Sequence, residues 1–287
     1  MIPVAQLKSD VEFYKSLASL IEVLKLIAAA QYQILDKKIK NYSVYLNAVA
    51  GIFKWFYSES ITDINHPFIN SKNKATGFVA VTTDAGLLGG LNAQVIIRAM
   101  SLLEPEKGDK LIIVGKRGQL YLNDRKMAYA NFPGITDEQR LNQSLTIRDY
   151  LVNNVLEGKF GKVKIVYPRA VSFTAQRIEV IQLIPAALEE NIEEKADKSF
   201  LSEIIYESEP VQLIEYLIFL WIGQKIFEIF GLSRLAEQSA RFMHLENCSE
   251  RIKEMDLKLR HQYFRARHEI IDQNMRELYA ARSLNEN

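Results

Sequence analysis

Hydrophobic positions at the two ends of the chain recur on a helical period over lengths that a compact domain does not need. Near the N-terminus Val4, Val11 and Ala18 fall seven apart, as do Leu7, Tyr14, Ile21 and Ala28, a coiled-coil seam of about three heptads. A second stripe, Leu17, Leu20, Leu24, Ile27 and Ile34, lies on another face. A helix with two apolar faces must be covered on both. After Pro3 the first glycine is Gly51 and the next proline is Pro67. The spacing therefore predicts one uninterrupted helix of roughly fifty residues, on the order of 75 Å long. The far end repeats the pattern. Beyond Pro210 no proline occurs up to Asn287, only Gly223 and Gly231 interrupt, and Leu245, Ile252, Leu259 and Ala266 again fall seven apart. Roughly seventy helical residues there would reach on the order of 100 Å. Two such helices, separated in sequence by a compact region, predict an antiparallel coiled coil.

Between them the period changes. Gly77 to Thr83 (GFVAVTT), Lys110 to Gly115 (KLIIVG) and Lys162 to Tyr167 (KVKIVY) are short, β-branched apolar runs, with a helical stretch from Thr136 to Leu156 before the third. Such runs, each closed by turn residues, read as strands. Strand and helix in alternation predict a small Rossmann-like α/β domain with a mainly parallel sheet. Arg177 to Ile184 reads as a final strand ending at Pro185, and Ala187 to Lys198, rich in Glu and Lys, as a solvated linker. The expected division is an N-terminal helix over residues 1–60, a central α/β domain over 74–186 and a C-terminal helix over 205–287. The fold class is α/β, with a long antiparallel coiled coil of the terminal helices beside the central domain.

Composition narrows the function classes. A net charge of +1 on 287 residues gives no overall field to hold nucleic acid or an anionic membrane. The single cysteine, Cys248, has no partner for an intrachain disulfide or a thiolate metal site, which suits a reducing compartment. The first residues, MIPVAQLKSDVEFYK, lack the apolar core and cleavage pattern of a secretory signal and do not resemble a transit peptide, so none is expected. The most apolar stretch, Val211 to Leu232, is broken by Glu215, Gln224, Lys225 and Glu228 and reads as a buried helix instead of a membrane span.

Candidate chemistry is sparse. No Gly-x4-Gly-Lys-Ser/Thr phosphate loop occurs. Gly86-Leu-Leu-Gly-Gly90 and Val114-Gly-Lys-Arg-Gly118 follow strands and could in principle present free N–H groups to a phosphate, yet both lack the full dinucleotide fingerprint and read as tight turns. His66, His244, His261 and His268 form no metal pair, since His261 and His268 lie two helical turns apart. The arginines Arg260, Arg265, Arg267, Arg276 and Arg282 alternate with Glu269, Asp272 and Glu277, the pattern of a solvated or partner-contacting helix face. The expectation is a non-catalytic chain without cofactor or metal.

Thr82 to Asn92, TTDAGLLGGLN, resembles the Thr/Ser-Asp-Arg-Gly-Leu-Cys-Gly-Gly-Leu/Phe-Asn pattern of the gamma subunits of F-type rotary ATP synthases. Four further segments agree in order and spacing. Lys25 to Ala30 (KLIAAA) is similar to the family's Lys-Met-Val-Ala-Ala, and Tyr206-Glu207 with Pro210 and Leu213 to its Tyr-Glu-Pro segment. Glu237-Gln-Ser-Ala-Arg241 is similar to its Glu-His/Gln-Ala-Ala-Arg, and Arg265-Ala-Arg267 with Ile271 to Leu278 to its closing Arg-Gln-x-x-Ile-Thr-x-Glu. The departures are Ala85 for the loop Arg, Leu88 for the Cys, Gln31 for the lysine after the Ala run, His268 for Gln, Asp272 for Thr and Asn274 for Glu. Ser19-Leu-Ile-Glu22 replaces a basic stretch.

The resemblance implies a rotor shaft. The paired helices would stand inside a ring of alternating alpha and beta catalytic subunits, with an epsilon-type subunit and a c-ring as further partners and no nucleic acid. Ion flow through the c-ring would turn the shaft and force each beta site through successive nucleotide states. Arg241, Arg267, His268, Asp272 and Asn274 would face the catalytic ring, with Leu24 and Lys25 opposite them, and Tyr206, Glu207 and Glu209 would form the foot toward the c-ring. The location implied is peripheral, on the cytoplasmic face of an energy-transducing bacterial inner membrane. Two alternatives stay open, the shaft of a specialised rotary ATPase paralogue and a nucleotide-binding α/β protein using Gly86 to Gly90. A coiled-coil scaffold outside any rotary machine is a third reading.

Overall fold

The computed structural model of the chain describes residues 3–60, 68, 71, 73–123, 127–185 and 210–285, without the side chains of 41–60, 210, 211, 213, 214 and 281–285. Helix α1 spans Val4–Ser60 and helix α5 spans Pro210–Asn285. Both run through the glycines within them, Gly51 in α1 and Gly223 and Gly231 in α5. Between them come β1 (Thr76–Val81), α2 (Leu91–Leu102), β2 (Lys110–Val114), α3 (Lys116–Leu120), β3 (Tyr129–Phe132), α4 (Arg140–Leu156), β4 (Lys162–Ala170) and β5 (Gln176–Ile184). The expected linker, 187–198, lies outside the described residues.

Contacts divide the chain into two compact units, one of Met1–Ala29 with Arg241–Asn287 and one of Ala30–Ala240. Each terminal helix therefore contributes to both.

In the larger unit the strands form one sheet in the order β3-β2-β1-β4-β5. β1 pairs in parallel with β2 and β4, β3 is parallel to β2, and β5 returns antiparallel to β4. β1 is buried at every residue, which is why it reads as an unbroken apolar run instead of an alternating one. Its residues feed two cores. Phe78 and Ala80 join Leu111, Ile113 and Val166 under Val95, Ile96 and Ala99 of α2. Val79 and Val81 join Ile112, Val114 and Ile165 on the other face, against Ile147 and Leu151 of α4.

That second face is closed by α5, whose Ile218, Ile222, Ile226, Ile229 and Phe230 are fully buried in the same core. A 3–4 residue spacing puts them on one helix stripe, and each buried side chain contributes about 1.5–3 kcal/mol of transfer free energy. Within the apolar stretch from Val211 to Leu232, the part from Ile218 onward thus packs into the core. The two glycines of α5 have a packing reason. Arg140 lies over the Phe227 ring at 4.1 Å and Arg148 over Phe219 at 3.6 Å. A Cβ on Gly231 would stand 2.8 Å from an Arg140 guanidinium nitrogen, and one on Gly223 would stand 3.1 Å from Arg148 Cδ. Mid-helix glycine costs about 1 kcal/mol against alanine, and here it admits two stacked guanidiniums.

Candidate functional site on the paired terminal helices

In the smaller unit, the start of α1 and the end of α5 lie side by side. Ile21, Leu245 and Ile252 are buried together, flanked by Tyr14, Leu17, Ala18, Leu24 and Cys248. Leu7 and Ala28 are buried on the same heptad line as Ile21. Val4 and Leu7 share a cleft of about 370 Å³ with Ala266 and Ile270. Rising numbers on α1 meet falling numbers on α5, so the pair is antiparallel, as the heptads predict.

The second stripe behaves differently. Leu17 and Leu24 are half-buried beside the seam, whereas Leu20, Val23, Leu26 and Ile27 are exposed, Leu26 to 62%. On α5 every described side chain from Arg267 to Ala280 is exposed, including Ile270, Ile271, Met275 and Leu278. A cluster of exposed aliphatic side chains of this extent marks an interaction surface.

The structure separates the expected contact residues into two groups. Leu24 and Lys25 stand level with Leu245 and Glu246. Lys25 Nζ approaches Glu246 Oε2 at 2.8 Å and Glu22 Oε2 at 2.9 Å. Its side chain is only 14% exposed. The two carboxylates, Glu246 foremost, hold the ammonium above its ordinary pKa, against the smaller opposing effect of burial. Lys25 is thus engaged within the helix pair. Arg241 is half-buried, while Arg267, His268, Asp272 and Asn274 are exposed on α5. This last group lies near the first turns of α1, at the cleft of Val4 and Leu7, not beside Leu24 and Lys25 as expected. Antiparallel pairing dictates that offset. Tyr206, Glu207 and Glu209, and also His66, fall outside the described residues.

The glycine loop holds the sheet together. Thr82 Oγ1 donates to the Val114 carbonyl at 2.6 Å and accepts the Gly118 N–H. Thr83 exchanges hydrogen bonds with the Asn92 side chain, and its hydroxyl also donates to the Ala85 carbonyl. Asp84 accepts the N–H groups of Lys116 and Gly134, so the loops that follow β2 and β3 are tied to the motif at the carboxyl ends of the strands. Leu88 and Leu91 pack on Ala240 of α5. Gly115 has φ 100°, and a Cβ there would lie 2.7 Å from the Thr82 carbonyl, so glycine solves a backbone problem. Among the described residues no group of three His, Cys, Asp or Glu could hold a metal ion.

Sequence reasoning missed a further set. Ser239 Oγ donates to the Phe173 carbonyl at 2.7 Å and accepts Gln176 Nε2 at 2.6 Å. The Phe173 ring in turn meets Tyr32 of α1 edge-on, with centroids 4.8 Å apart. The β4–β5 turn is therefore gripped by both long helices. Its partners lie more than sixty residues apart in sequence, and no local pattern announces them.

A sheet domain inserted between two long helices whose free portions pair antiparallel, with apolar and charged residues displayed outward, defines a shaft-type interaction protein. The family model described as ATP synthase matches residues 4–283, and the chain belongs to that family. The ATP synthase gamma chain of Symbiobacterium thermophilum is 26% identical over 270 residues, covering 92% of each chain. Among solved structures, a chain of the Euglena gracilis mitochondrial ATP synthase (OSCP, F1 and c-ring, rotational state 3) superposes with TM-score 0.69 at 16% identity, over 98% of this chain and 93% of that one. A chain from the Tetrahymena thermophila mitochondrial ATP synthase central stalk and c-ring gives TM-score 0.60 at 17% identity, over 80% and 99%. At these identities the structural matches speak to fold.

Proposed function

We propose that this chain is the central rotor shaft of an F-type ATP synthase, a non-catalytic subunit that couples rotation of a c-ring to ATP synthesis or hydrolysis in a ring of alpha and beta subunits. The observation that carries this reading is the bare end of α5. From Arg267 to Ala280 an ordered helix exposes Ile270, Ile271, Met275 and Leu278 together with charges of both signs. An object of this kind shifts the nucleotide states of a surrounding ring only through contacts that differ between those states. The catalytic ring supplies the cover that the exposed stripe lacks, and Arg267, His268, Asp272 and Asn274 supply directional polar contacts.

Leu20, Val23, Leu26 and Ile27 form a second exposed patch on α1, beside Leu24 and Lys25 and offset along the helix pair from the end of α5. Arg241, half-buried, belongs to the same contact set. The foot toward the c-ring falls to the segment with Tyr206, Glu207 and Glu209. In such an assembly the chain sits peripherally on the cytoplasmic face of a bacterial inner membrane. Native mass measurement of the complex purified through this chain tests the reading. The expected particle holds one copy of this chain with three alpha-type and three beta-type ATPase subunits. Recovery of the chain without any ATPase subunit would sink the proposal.

A further inference from the structure

The connections of the sheet diverge between β1 and β4. The chain leaves β1 through α2 for β2 on one side and, after β3, returns through α4 to β4 on the other. At such a switch point the loops part and leave a crevice outside the carboxyl ends of the strands. Here the crevice has a volume of about 430 Å³, within the range of small-molecule sites, roughly 300–1,000 Å³. The shaft function does not use it.

Its lining has a definite chemical character. Four carboxylates, Asp84, Asp137, Glu138 and Glu237, face one guanidinium, Arg234. That guanidinium is already committed. Its Nε and one terminal nitrogen reach Asp137 at 3.3 and 3.4 Å, and the other terminal nitrogen bonds Glu237. Asp84 accepts two backbone N–H groups, at 2.7 and 3.2 Å, which leaves its charge in place. Glu138 is exposed and makes no ion pair with any described residue. The second observation is Ser233, a lining residue only 5% exposed whose hydroxyl has no hydrogen-bond partner among the described residues. A buried hydroxyl in a native fold ordinarily has one. Ile135 and Pro168 add apolar wall.

This surplus of acceptors repels a nucleotide phosphate, and it lacks the three-ligand geometry of a metal site. A cation that carries several N–H donors on a short carbon chain offers a partner to the exposed Glu138 carboxylate and to the unpaired Ser233 hydroxyl, while its methylenes cover Ile135 and Pro168. We propose that this crevice binds a small organic cation bearing a guanidinium or primary ammonium group.

Agmatine, which carries both groups, is the probe. Titrated calorimetrically into the purified full chain at constant chloride, it should bind saturably at one site with a dissociation constant below about 1 mM. Glu138→Gln and Ser233→Ala should each weaken binding about tenfold or more, the size of one lost hydrogen bond to a charged group. Ala85→Arg, which sets the chain's own guanidinium at the mouth of the crevice, should abolish it. Circular dichroism of each variant separates lost binding from lost fold, and Glu138→Gln, at an exposed position, leaves the core untouched. Three results would overturn the proposal: no saturable heat up to about 10 mM agmatine, unchanged affinity in Glu138→Gln and Ala85→Arg, or an equal response to tetramethylammonium, which has no N–H donor.

Discussion

Glu179 shows how a single side chain couples fold to pH. On β5 it accepts the Tyr167 hydroxyl at 2.8 Å, Arg177 Nε at 2.6 Å and an Arg169 nitrogen at 3.2 Å. Burial alone would push its carboxyl up, but the hydrogen bonds from Tyr167, Arg177 and Arg169 outweigh it and hold the pKa below the ordinary 4.5. A depressed folded pKa means stability that is complete above the unfolded value and is lost as pH falls through the folded one. The melting temperature of the natural chain should therefore decline below pH 4.5 more steeply than that of Glu179→Gln, which has no proton to bind. Parallel declines in the two proteins would remove Glu179 from the acid transition. At neutral pH the same substitution should cost about 1–3 kcal/mol, because Arg169, Arg177 and the buried Tyr167 lose a charged acceptor. Ser239→Ala tests the grip on the β4–β5 turn in a similar way. It leaves the Phe173 carbonyl and the Gln176 amide without their shared partner, and a loss of about 1–3 kcal/mol is expected in denaturant unfolding. A loss under about 0.5 kcal/mol, the usual size for a surface change, would show that the turn is held by Tyr32 and Phe173 alone.

At the scale of elements, the paired helices give the sharpest contrast. Ile252 is 8% exposed in the seam, whereas Ile271, just beyond Ala266 in a run without buried residues, is 45% exposed. Ile252→Asp should cost roughly 2–5 kcal/mol or force the helices apart, since it removes buried aliphatic volume and buries a carboxylate without a partner. Ile271→Asp should change the melting temperature of the isolated chain by less than about 2 °C, as a surface substitution does in a chain of this size. Equal effects of the two would refute the seam. The heptads make this element legible in the sequence, because a repeat of seven sustained over several turns is a long-range signal written locally. The strands GFVAVTT, KLIIVG and KVKIVY are legible for a related reason, as runs buried on both faces carry few polar positions. β3, over Tyr129–Phe132, is not. It is an edge strand of four residues, three half-buried and Asn131 exposed, too short to stand out from a turn. The roles of Thr82, Asp84, Ser233 and Ser239 are equally hidden, because their partners or cavity walls come from other elements. The offset between Lys25 and the Arg267 group follows from register, which a heptad pattern on each helix leaves undetermined by whole heptads.

For the molecule as a whole, stability and function should separate along the chain. The larger unit, Ala30–Ala240, contains both cores of the sheet, and on α5 the seam is buried only as far as Ile252, with half-buried positions to Ala266. Residues after Ile270 add no buried side chain among those described. Deleting them should therefore leave the far-ultraviolet signal per helical residue and the melting temperature of the isolated chain nearly unchanged, since unfolding exposes little additional apolar area there. In the assembled synthase the same deletion removes Ile271, Asp272, Asn274, Met275 and Leu278 from the surface proposed to contact the catalytic ring. Contacts that distinguish one catalytic state from another are the source of coupling free energy. Losing about 1.4 kcal/mol of that difference changes a state ratio tenfold. Ion-driven ATP synthesis by the reconstituted complex should then fall well below its full rate while the truncated chain remains folded. Full-rate synthesis by the truncated complex would move the torque contact elsewhere on the helices, toward the exposed Leu20, Val23, Leu26 and Ile27. A large drop in the melting temperature of the isolated chain would instead show that the end of α5 supports the fold, and that stability and function do not separate at Ile270.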